Sequence, residues 1–444
     1  MQVNRPSRDR SKTVATTTLL LVVLTGVIII SSAVGGRHQD EQNEEKVITM
    51  LQSPHPIYSP IEKLQQTIVD CKKFGITEWD IYGDFDKQAG SASSASFLRS
   101  FENEISQEFG KEDGVFMPSG GRTSHLLLHE QDGYRELCGL DAIPLPHNDI
   151  GLGLGASPLL YQHVQDYFEE QRQNNDNGGK ITPWKDIIQL RKFATTHDIK
   201  LHCDGARIFE ATTATGYSQH NNKLSLAELV DPFDSVYISF YKGLGGMSGA
   251  MLLGSKEFCD EARVWLRRFG GNLYTLLPYA ISGWAGYKRH WKDITIINND
   301  DDENTNDDNV QQPTMTFQDK KDKLVHIVKE LSSSSNNQKS ILLFEPSIPE
   351  VNMVHCYLRP SKETCELIRD EIINEYNGIS IFHRLRPIEE EEEDGVDYVA
   401  FQKGYRCKFE LSIGESNGNI PTEIWIQAWS AFFNKVTLLS SSGS

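Results

Sequence analysis

Two segments near the start of the chain carry apolar residues three or four positions apart. They are residues 61–74 and 96–109, and this spacing is the period of an amphipathic helix. The second segment is followed by Gly110, a residue common at helix carboxyl ends. The pattern predicts two helices.

Short apolar runs further along the chain suit buried strands. These runs are residues 115–117, 199–203, 235–240 and 250–253. They alternate with helical segments such as residues 187–195. Such alternation predicts an α/β domain with a mostly parallel sheet.

Beyond residue 314 the pattern changes to a helix, short strands and a last helix. The predicted strands lie near residues 352–358, 379–383 and 408–413, and the last helix covers 422–436. This order predicts a smaller α+β domain. The chain is therefore divided into an N-terminal segment and linker, a large domain, a flexible acidic linker and a small C-terminal domain, at residues 1–46, 47–297, 298–313 and 314–438.

The formal net charge of −18 argues against nucleic acid as a partner, because it repels phosphate backbones. Much of this charge lies in two runs, residues 300–308 and 389–394, which indicate solvated loops. The 7 cysteines are scattered, without the close-paired spacing of metal ligands. Neither a metal site nor a disulfide framework is predicted.

Residues 14–36 are uncharged and largely aliphatic, and a basic stretch precedes them. This composition predicts a membrane-targeting segment, either a cleaved signal or a single-span anchor. The basic flank would place the rest of the chain across the membrane. The unpaired cysteines and the absence of any Asn-x-Ser/Thr acceptor argue the other way. The expectation is a membrane-associated or secretory-route protein, with the compartment of the folded part open.

Two polar residues stand at the ends of predicted strands. Asp204 closes the run 199–203, and Lys242 follows the run 235–240. Open α/β sheets place ligands at the carboxyl ends of their strands. Glycines after Lys242 allow a tight turn beside a bulky ligand. Both residues are therefore candidates for a binding site.

Four motifs carry a resemblance: HCDGARIFEA, DPFDSVYISFYKGLGG, SGAMLLGSKEF and RRFGGN. Their order resembles the threonine aldolase and aromatic amino acid β-eliminating lyase family, closely over residues 201–272 and loosely over 76–436. The resemblance implies an aspartate aminotransferase-like fold, with a large α/β domain and a small C-terminal domain. It also implies pyridoxal phosphate as cofactor, a small amino-acid substrate and a homo-oligomer.

The resemblance assigns roles to individual residues. Lys242 would attach covalently to the cofactor, and Asp204 would pair with the pyridine nitrogen. Arg207 would approach the cofactor's phenolic oxygen or the substrate carboxylate. His125 would stack on the pyridine ring as a second catalytic residue, with His129 as the competing candidate.

Other assignments rest on the same resemblance. Ser119, Gly120 and Gly121 follow a short strand and would bind the cofactor phosphate. The residues Arg267, Arg268, Gly270 and Gly271 resemble a stretch that reaches the phosphate of a neighbouring subunit. Arg406 and Lys408 both stay open as the carboxylate-binding residue of the small domain.

The chain departs from the family in two places. Gly121 is followed almost directly by His125, where the family has a helix and a strand between the two. The residues before Gly178 are polar, where the family has an apolar strand and a histidine. The implied function is cleavage of the Cα–Cβ bond of a β-hydroxy amino acid such as threonine, giving glycine and an aldehyde. The alternatives are another amino-acid β-eliminating lyase and a membrane-associated relic that has lost catalysis.

Overall fold

The computed structural model describes residues 49–56, 58–76, 96–118, 181–219, 222–292, 315–333, 340–376, 378–388 and 400–442. The domain limits predicted at residues 46, 297 and 313 fall outside these ranges and stay predictions. The predicted targeting segment, residues 14–36, also lies outside them. Within the described ranges, no helix has both the length and the apolar content needed to cross a bilayer.

The helices agree with the sequence pattern in position. The predictions near 61–74, 96–109, 187–195 and 422–436 are confirmed, whereas several other helices, among them Leu277–Tyr287 and Lys362–Glu375, were not predicted. In chain order the helices are α1 (Pro60–Lys73), α2 (Phe97–Glu108), α3 (Trp184–Thr196), α4 (Ile208–Ala211), α5 (Leu226–Val230), α6 (Lys256–Arg268), α7 (Leu277–Tyr287), α8 (Phe317–Ser333), α9 (Lys362–Glu375), α10 (Glu415–Gly418) and α11 (Thr422–Ser442).

Serine side chains start several of these helices. Each accepts a hydrogen bond from a backbone N–H in the first turn, which has no partner inside the helix. In α1 and α5 a glutamate three residues later bonds back to the serine N–H and completes a capping box. These serines are Ser59, Ser96, Ser225, Ser255 and Ser361.

The strands are short and form two main sheets in the described part of the chain. In chain order they are β1 (Thr49–Met50), β2 (Asp113–Met117), β3 (His202–Gly205), β4 (Ser218–Gln219), β5 (Asn222–Lys223), β6 (Ser235–Ser239), β7 (Ala250–Gly254), β8 (Leu342–Glu345), β9 (Met353–Leu358), β10 (Ile379–Ser380), β11 (Arg386–Pro387) and β12 (Cys407–Ser412).

The first sheet has the strand order β2, β7, β6, β3. Strands β3 and β6 are parallel, and β7 is antiparallel to both of its neighbours. Strands β2, β6 and β3 therefore run in one direction, so their carboxyl ends lie at the same edge of the sheet. The α/β fold with a mostly parallel central sheet is confirmed.

The predicted strand 199–203 begins later than expected, at His202. Asp198 adopts a φ of 55°, and the N–H of Ile199 bonds to the carbonyl of Ala194 at 2.8 Å. Ile199 thus closes helix α3 and remains 42% exposed. The apolar run was correctly placed, but its first residues end a helix.

The second sheet has the order β11, β12, β9, β8 and is antiparallel throughout. Its core includes the buried side chains of Trp425 and Trp429 from α11. Strand β10 is not part of this sheet and instead pairs in parallel with β1. The β1–β10 pairing holds the stretch that follows β1 against this part of the fold.

A buried glutamate fixes β2 to its surroundings. Glu102, in α2, is 2% exposed and accepts a hydrogen bond from the N–H of Phe116 at 2.8 Å. Its other oxygen lies 2.5 Å from Nη1 of Arg99 and 3.6 Å from Nη2 of Arg263. Arg263 in turn forms a two-pronged ion pair with Asp113, at 2.7 and 2.9 Å. This network anchors the strand immediately before the predicted phosphate loop.

Candidate functional site

The carboxyl ends of β3 and β6 bring two predicted site residues to one edge of the first sheet. Asp204 is the third residue of β3 and is 4% exposed. Lys242 is half-buried and lies just beyond the end of β6 at Ser239. Because β3 and β6 are parallel neighbours, both residues belong to the edge where such sheets bind ligands.

Ser239 is a candidate that the sequence interpretation missed. It is 2% exposed, and its Oγ has no hydrogen-bond partner among the described residues. Alternation along β6 places Ser239 and Tyr237 on one face, which is also the face of Asp204. A buried hydroxyl normally has a partner. The position of Ser239, at the end of β6 and three residues before Lys242, was the signal available in the sequence.

Arg207 precedes helix α4 and contacts two carboxylates. Its Nη2 donates to Oε1 of Glu410, and its Nη1 lies 3.5 Å from Oε1 of Glu210. Burial alone would lower the pKa of Arg207, but the two carboxylates outweigh burial and raise it. The Nε of Arg207 has no acceptor among the described residues. The guanidinium is therefore charged and has one buried N–H suited to a further acceptor.

Glu210 supports the turn that carries Lys242. Its side chain is 1% exposed, and its carboxylate lies so close to Gly243 that a Cβ at position 243 would overlap it. Burial raises the pKa of Glu210, whereas Arg207 and Lys242 act in the opposite direction. A side chain at position 243 would therefore have to displace the Glu210 carboxylate from its place beside Arg207.

His55, from the stretch that follows β1, packs against the same turn. A Cβ at Gly245, where φ is +65°, would lie 3.0 Å from Nδ1 of His55. Burial lowers the pKa of His55 to about 4. The positive charges of Lys320 and Arg207 also lower this pKa, whereas a hydrogen bond to the Lys242 backbone raises it. The imidazole is therefore neutral at pH 7. Nothing in the local sequence indicated this position.

The depressed pKa of His55 gives a pH prediction. The unfolded chain takes up this proton near the ordinary histidine pKa of 6.5, whereas the folded chain takes it up near 4. The folded chain therefore has its full stability, as far as His55 is concerned, above pH 6.5. This contribution to the free energy of unfolding is lost as the pH falls towards 4. One pKa unit corresponds to about 1.4 kcal/mol, so we expect the free energy of unfolding to fall by about 3 kcal/mol at most.

Urea unfolding at pH 7 and pH 4.5 measures this effect, with His55→Asn as the comparison. The wild-type chain should lose more stability between these pH values than the variant. Equal losses in both proteins would contradict the assignment to His55, whatever the stability of the variant at pH 7.

The predicted phosphate loop begins where the described part of β2 ends. Strand β2 finishes at the same sheet edge as β3 and β6. The carbonyl of Pro118, just after β2, accepts a hydrogen bond from the hydroxyl of Ser248. This contact fixes the exit of β2 close to the start of β7. The predicted residues that follow lie outside the described part of the chain: Ser119, Gly120, Gly121, His125 and His129.

The small-domain candidates for carboxylate binding take different positions. Arg406 donates to the carbonyls of Phe401 and Tyr405, both at 3.0 Å, and lies 4.3 Å from the Phe401 ring centre. The side chain that reaches Arg207 is instead Glu410, two residues after Lys408 on β12. The described residues thus place a carboxylate, which the sequence interpretation missed, against this part of the site.

The basic pair at the end of α6 is on the surface of the chain. Arg267 and Arg268 are exposed, and Arg268 lies 4.6 Å from the ring centre of Trp265. Gly270 follows with a φ of +74°, which ends the helix. Their contact with a neighbouring subunit stays a prediction.

The chemistry of these residues fits pyridoxal phosphate. Lys242 would supply a primary amine for the cofactor aldehyde, and the buried Asp204 carboxylate would face a protonated ring nitrogen. The Arg207 Nε and the Ser239 Oγ are buried polar atoms whose partners are not among the described residues. Oxygen atoms of a bound cofactor or of its amino-acid substrate would satisfy both.

Comparisons with known proteins agree with this fit. Residues 161–328 match the family model described as beta-eliminating lyase. The chain is 30% identical over 203 residues to the Arabidopsis thaliana protein named probable low-specificity L-threonine aldolase 2, covering 39% of this chain and 55% of that protein. It is 27% identical over 201 residues to the alanine racemase TOXG of Cochliobolus carbonum, covering 39% and 49%.

A solved structure from Listeria monocytogenes EGD-E, assigned as an L-allo-threonine aldolase, superimposes with a TM-score of 0.62 at 24% identity. The superposition covers 88% of this chain and 96% of that chain. The chain spans about half the length of the curated relatives it matches, 55% and 49% in the two cases above. The described α/β fold agrees with that superposition, and residues 161–328 are similar to the beta-eliminating lyases.

Proposed function

We propose that the chain is a pyridoxal-phosphate-dependent lyase that cleaves the Cα–Cβ bond of a β-hydroxy amino acid such as threonine, giving glycine and an aldehyde. The observation that carries the proposal is the placement of Asp204 and Lys242 at the carboxyl ends of neighbouring parallel strands. The names of the relatives support the choice of threonine among amino acids.

The residues would divide the work as follows. The Lys242 amine holds the cofactor covalently through its aldehyde, and the buried Asp204 carboxylate keeps a proton on the ring nitrogen. The bound cofactor supplies an electron sink for the pair released from the breaking bond. Ser239, with Ser119, Gly120 and Gly121, would bind the cofactor phosphate, and His125 would lie against its ring.

Substrate orientation would depend on Arg207. Its guanidinium can form paired hydrogen bonds with a carboxylate, and its buried Nε faces no acceptor among the described residues. Fixing the carboxylate orients the Cα–Cβ bond relative to the cofactor. The substrate hydroxyl must lose its proton as the aldehyde forms, and the glycine Cα gains one, so the reaction is balanced without another reactant.

The test is aldehyde release from threonine by the full-length chain loaded with pyridoxal phosphate. We expect Asp204→Asn to retain the visible absorption band but to lose about 10- to 100-fold in kcat, since a hydrogen bond to a charged group contributes about 1.5–3 kcal/mol. Asp231→Asn, an exposed carboxylate at the end of α5, is the matched control and should behave as wild type.

The outcomes separate the alternatives. A visible band without any aldehyde would favour the catalytically impaired relic. Formation of pyruvate from serine, without cleavage of threonine, would favour a β-eliminating lyase. Asp204→Asn with unchanged kcat would contradict the role given to Asp204.

Two further parts of the proposal concern the whole protein. Residues 14–36 would target or anchor the chain at a membrane, through a cleaved signal or a single span. The chain would form a homo-oligomer, a dimer or a tetramer, in which Arg267 and Arg268 approach a neighbouring subunit.

A further inference from the structure

The two carboxylates on Arg207 differ in their freedom to move. Glu210 is 1% exposed and is confined between Arg207 and the turn at Gly243. Glu410 is 41% exposed and reaches Arg207 from β12 of the second sheet. Glu210 is therefore a fixed counter-charge, whereas Glu410 can leave without opening the core.

Glu410 makes the contact with Arg207 that a carboxylate ligand would make. Its Oε1 accepts from Nη2 of Arg207 and also from the hydroxyl of Ser412 at 3.1 Å. Guanidinium groups recognise protein and ligand carboxylates through the same geometry. With Glu210 already beside Nη1, a third carboxylate at Arg207 would meet two negative charges.

A second residue that can carry a positive charge, His355, lies opposite Glu410 on the same sheet. His355 lies directly opposite Glu410 in the antiparallel pairing of β12 with β9. Side chains opposite each other in such a pair lie on the same face and are close enough to interact. The carboxylate could thus move from Arg207 towards His355 with β12 in place.

We propose that Glu410 occupies the position on Arg207 that the substrate carboxylate takes, so that the substrate binds by displacing it. Glu410 is then a specificity-determining residue, because only a ligand whose carboxylate displaces that of Glu410 can bind to the Arg207 guanidinium. This inference rests on the proposed function for the identity of the substrate, but the displacement itself involves only residues of this chain.

The test compares glycine with methylamine, which has the same amine but no carboxylate. Both are titrated into the cofactor-loaded full-length chain and followed by the visible spectrum. We expect Glu410→Gln to bind glycine roughly tenfold tighter or more, because a competing like charge is removed, and to bind methylamine as wild type does. Glu415→Gln, at 44% exposure, is the control for a general change in charge and should leave both affinities unchanged.

A second measurement does not need the cofactor. Calorimetric titration of the cofactor-free chain with acetate should show tighter binding to Glu410→Gln than to wild type. If this gain appears while threonine is not cleaved, the proposed function fails and the displacement stands. Should Glu410→Gln fold poorly, Ser412→Ala, which removes one donor to Glu410, should shift glycine binding in the same direction by a smaller factor.

Two results would overturn the inference. One is a Glu410→Gln variant that binds glycine and acetate with unchanged or weaker affinity, since Glu410 would then only support Arg207. The other is an equal gain for glycine and methylamine, since the gain would then not depend on the carboxylate.

Discussion

Lys242→Ala should abolish both the visible absorption band of the cofactor-loaded protein and its lyase activity. Lys242 lies just past β6, at the sheet edge that also carries Asp204. If its amine holds the cofactor covalently, alanine removes the bond and leaves only non-covalent contacts. We expect kcat to fall roughly 10³-fold or more, as it does when other catalytic nucleophiles are removed.

Lys256→Ala is the matched control for this prediction. Lys256 begins helix α6, and its side chain is 65% exposed and paired with Asp260 on the same helix. Its removal should leave the spectrum and kcat unchanged. A visible band of full intensity in Lys242→Ala would assign the covalent attachment to another lysine. Urea unfolding of both variants tests whether any loss reflects the site or the fold.

The part of the site that could be predicted is local in sequence. The strand before Lys242 is buried throughout, and the glycines after it allow the chain to turn tightly. Asp204 likewise lies near the carboxyl end of a short strand whose Cys203 side chain is buried. Strand ends and turns are determined by neighbouring residues, so their signal is visible in a single sequence.

The part that could not be predicted depends on contacts between distant segments. Glu410 meets Arg207 across 203 positions, and His55 reaches the Lys242 turn from the stretch after β1. Neither contact leaves a periodic pattern. The exposed face of α1 shows the same limit, because Ile61 and Leu64 have helical spacing yet are 69% and 58% exposed. Spacing predicts the element, whereas its burial depends on the rest of the fold.

Glu102→Ala should lower the free energy of unfolding by about 3–5 kcal/mol, the usual effect of breaking a buried ion pair from one side. The substitution leaves the Phe116 N–H without its acceptor and removes the charge opposite Arg99 and Arg263. Asp113 still pairs with Arg263, so the loss should fall nearer the lower value. Urea unfolding measures the change, read from the midpoint at an unchanged slope.

Two variants distinguish the buried network from a general effect of losing a glutamate. Glu102→Gln keeps an oxygen for the Phe116 N–H and should cost less than Glu102→Ala. Glu257→Ala, an exposed residue in the first turn of α6, should stay within about 0.5 kcal/mol of wild type. A Glu102→Ala variant as stable as Glu257→Ala would contradict the structural role of the network.

The same substitution also tests the link between the fold and the cofactor. The N–H that Glu102 holds belongs to Phe116, two residues before Pro118 and the predicted phosphate loop. If Ser119, Gly120 and Gly121 bind the phosphate, loosening β2 should shorten the retention of pyridoxal phosphate during dialysis, even below the urea concentration at which the chain unfolds. Retention equal to that of wild type would place the phosphate contacts elsewhere, with Ser239 as the first residue to replace.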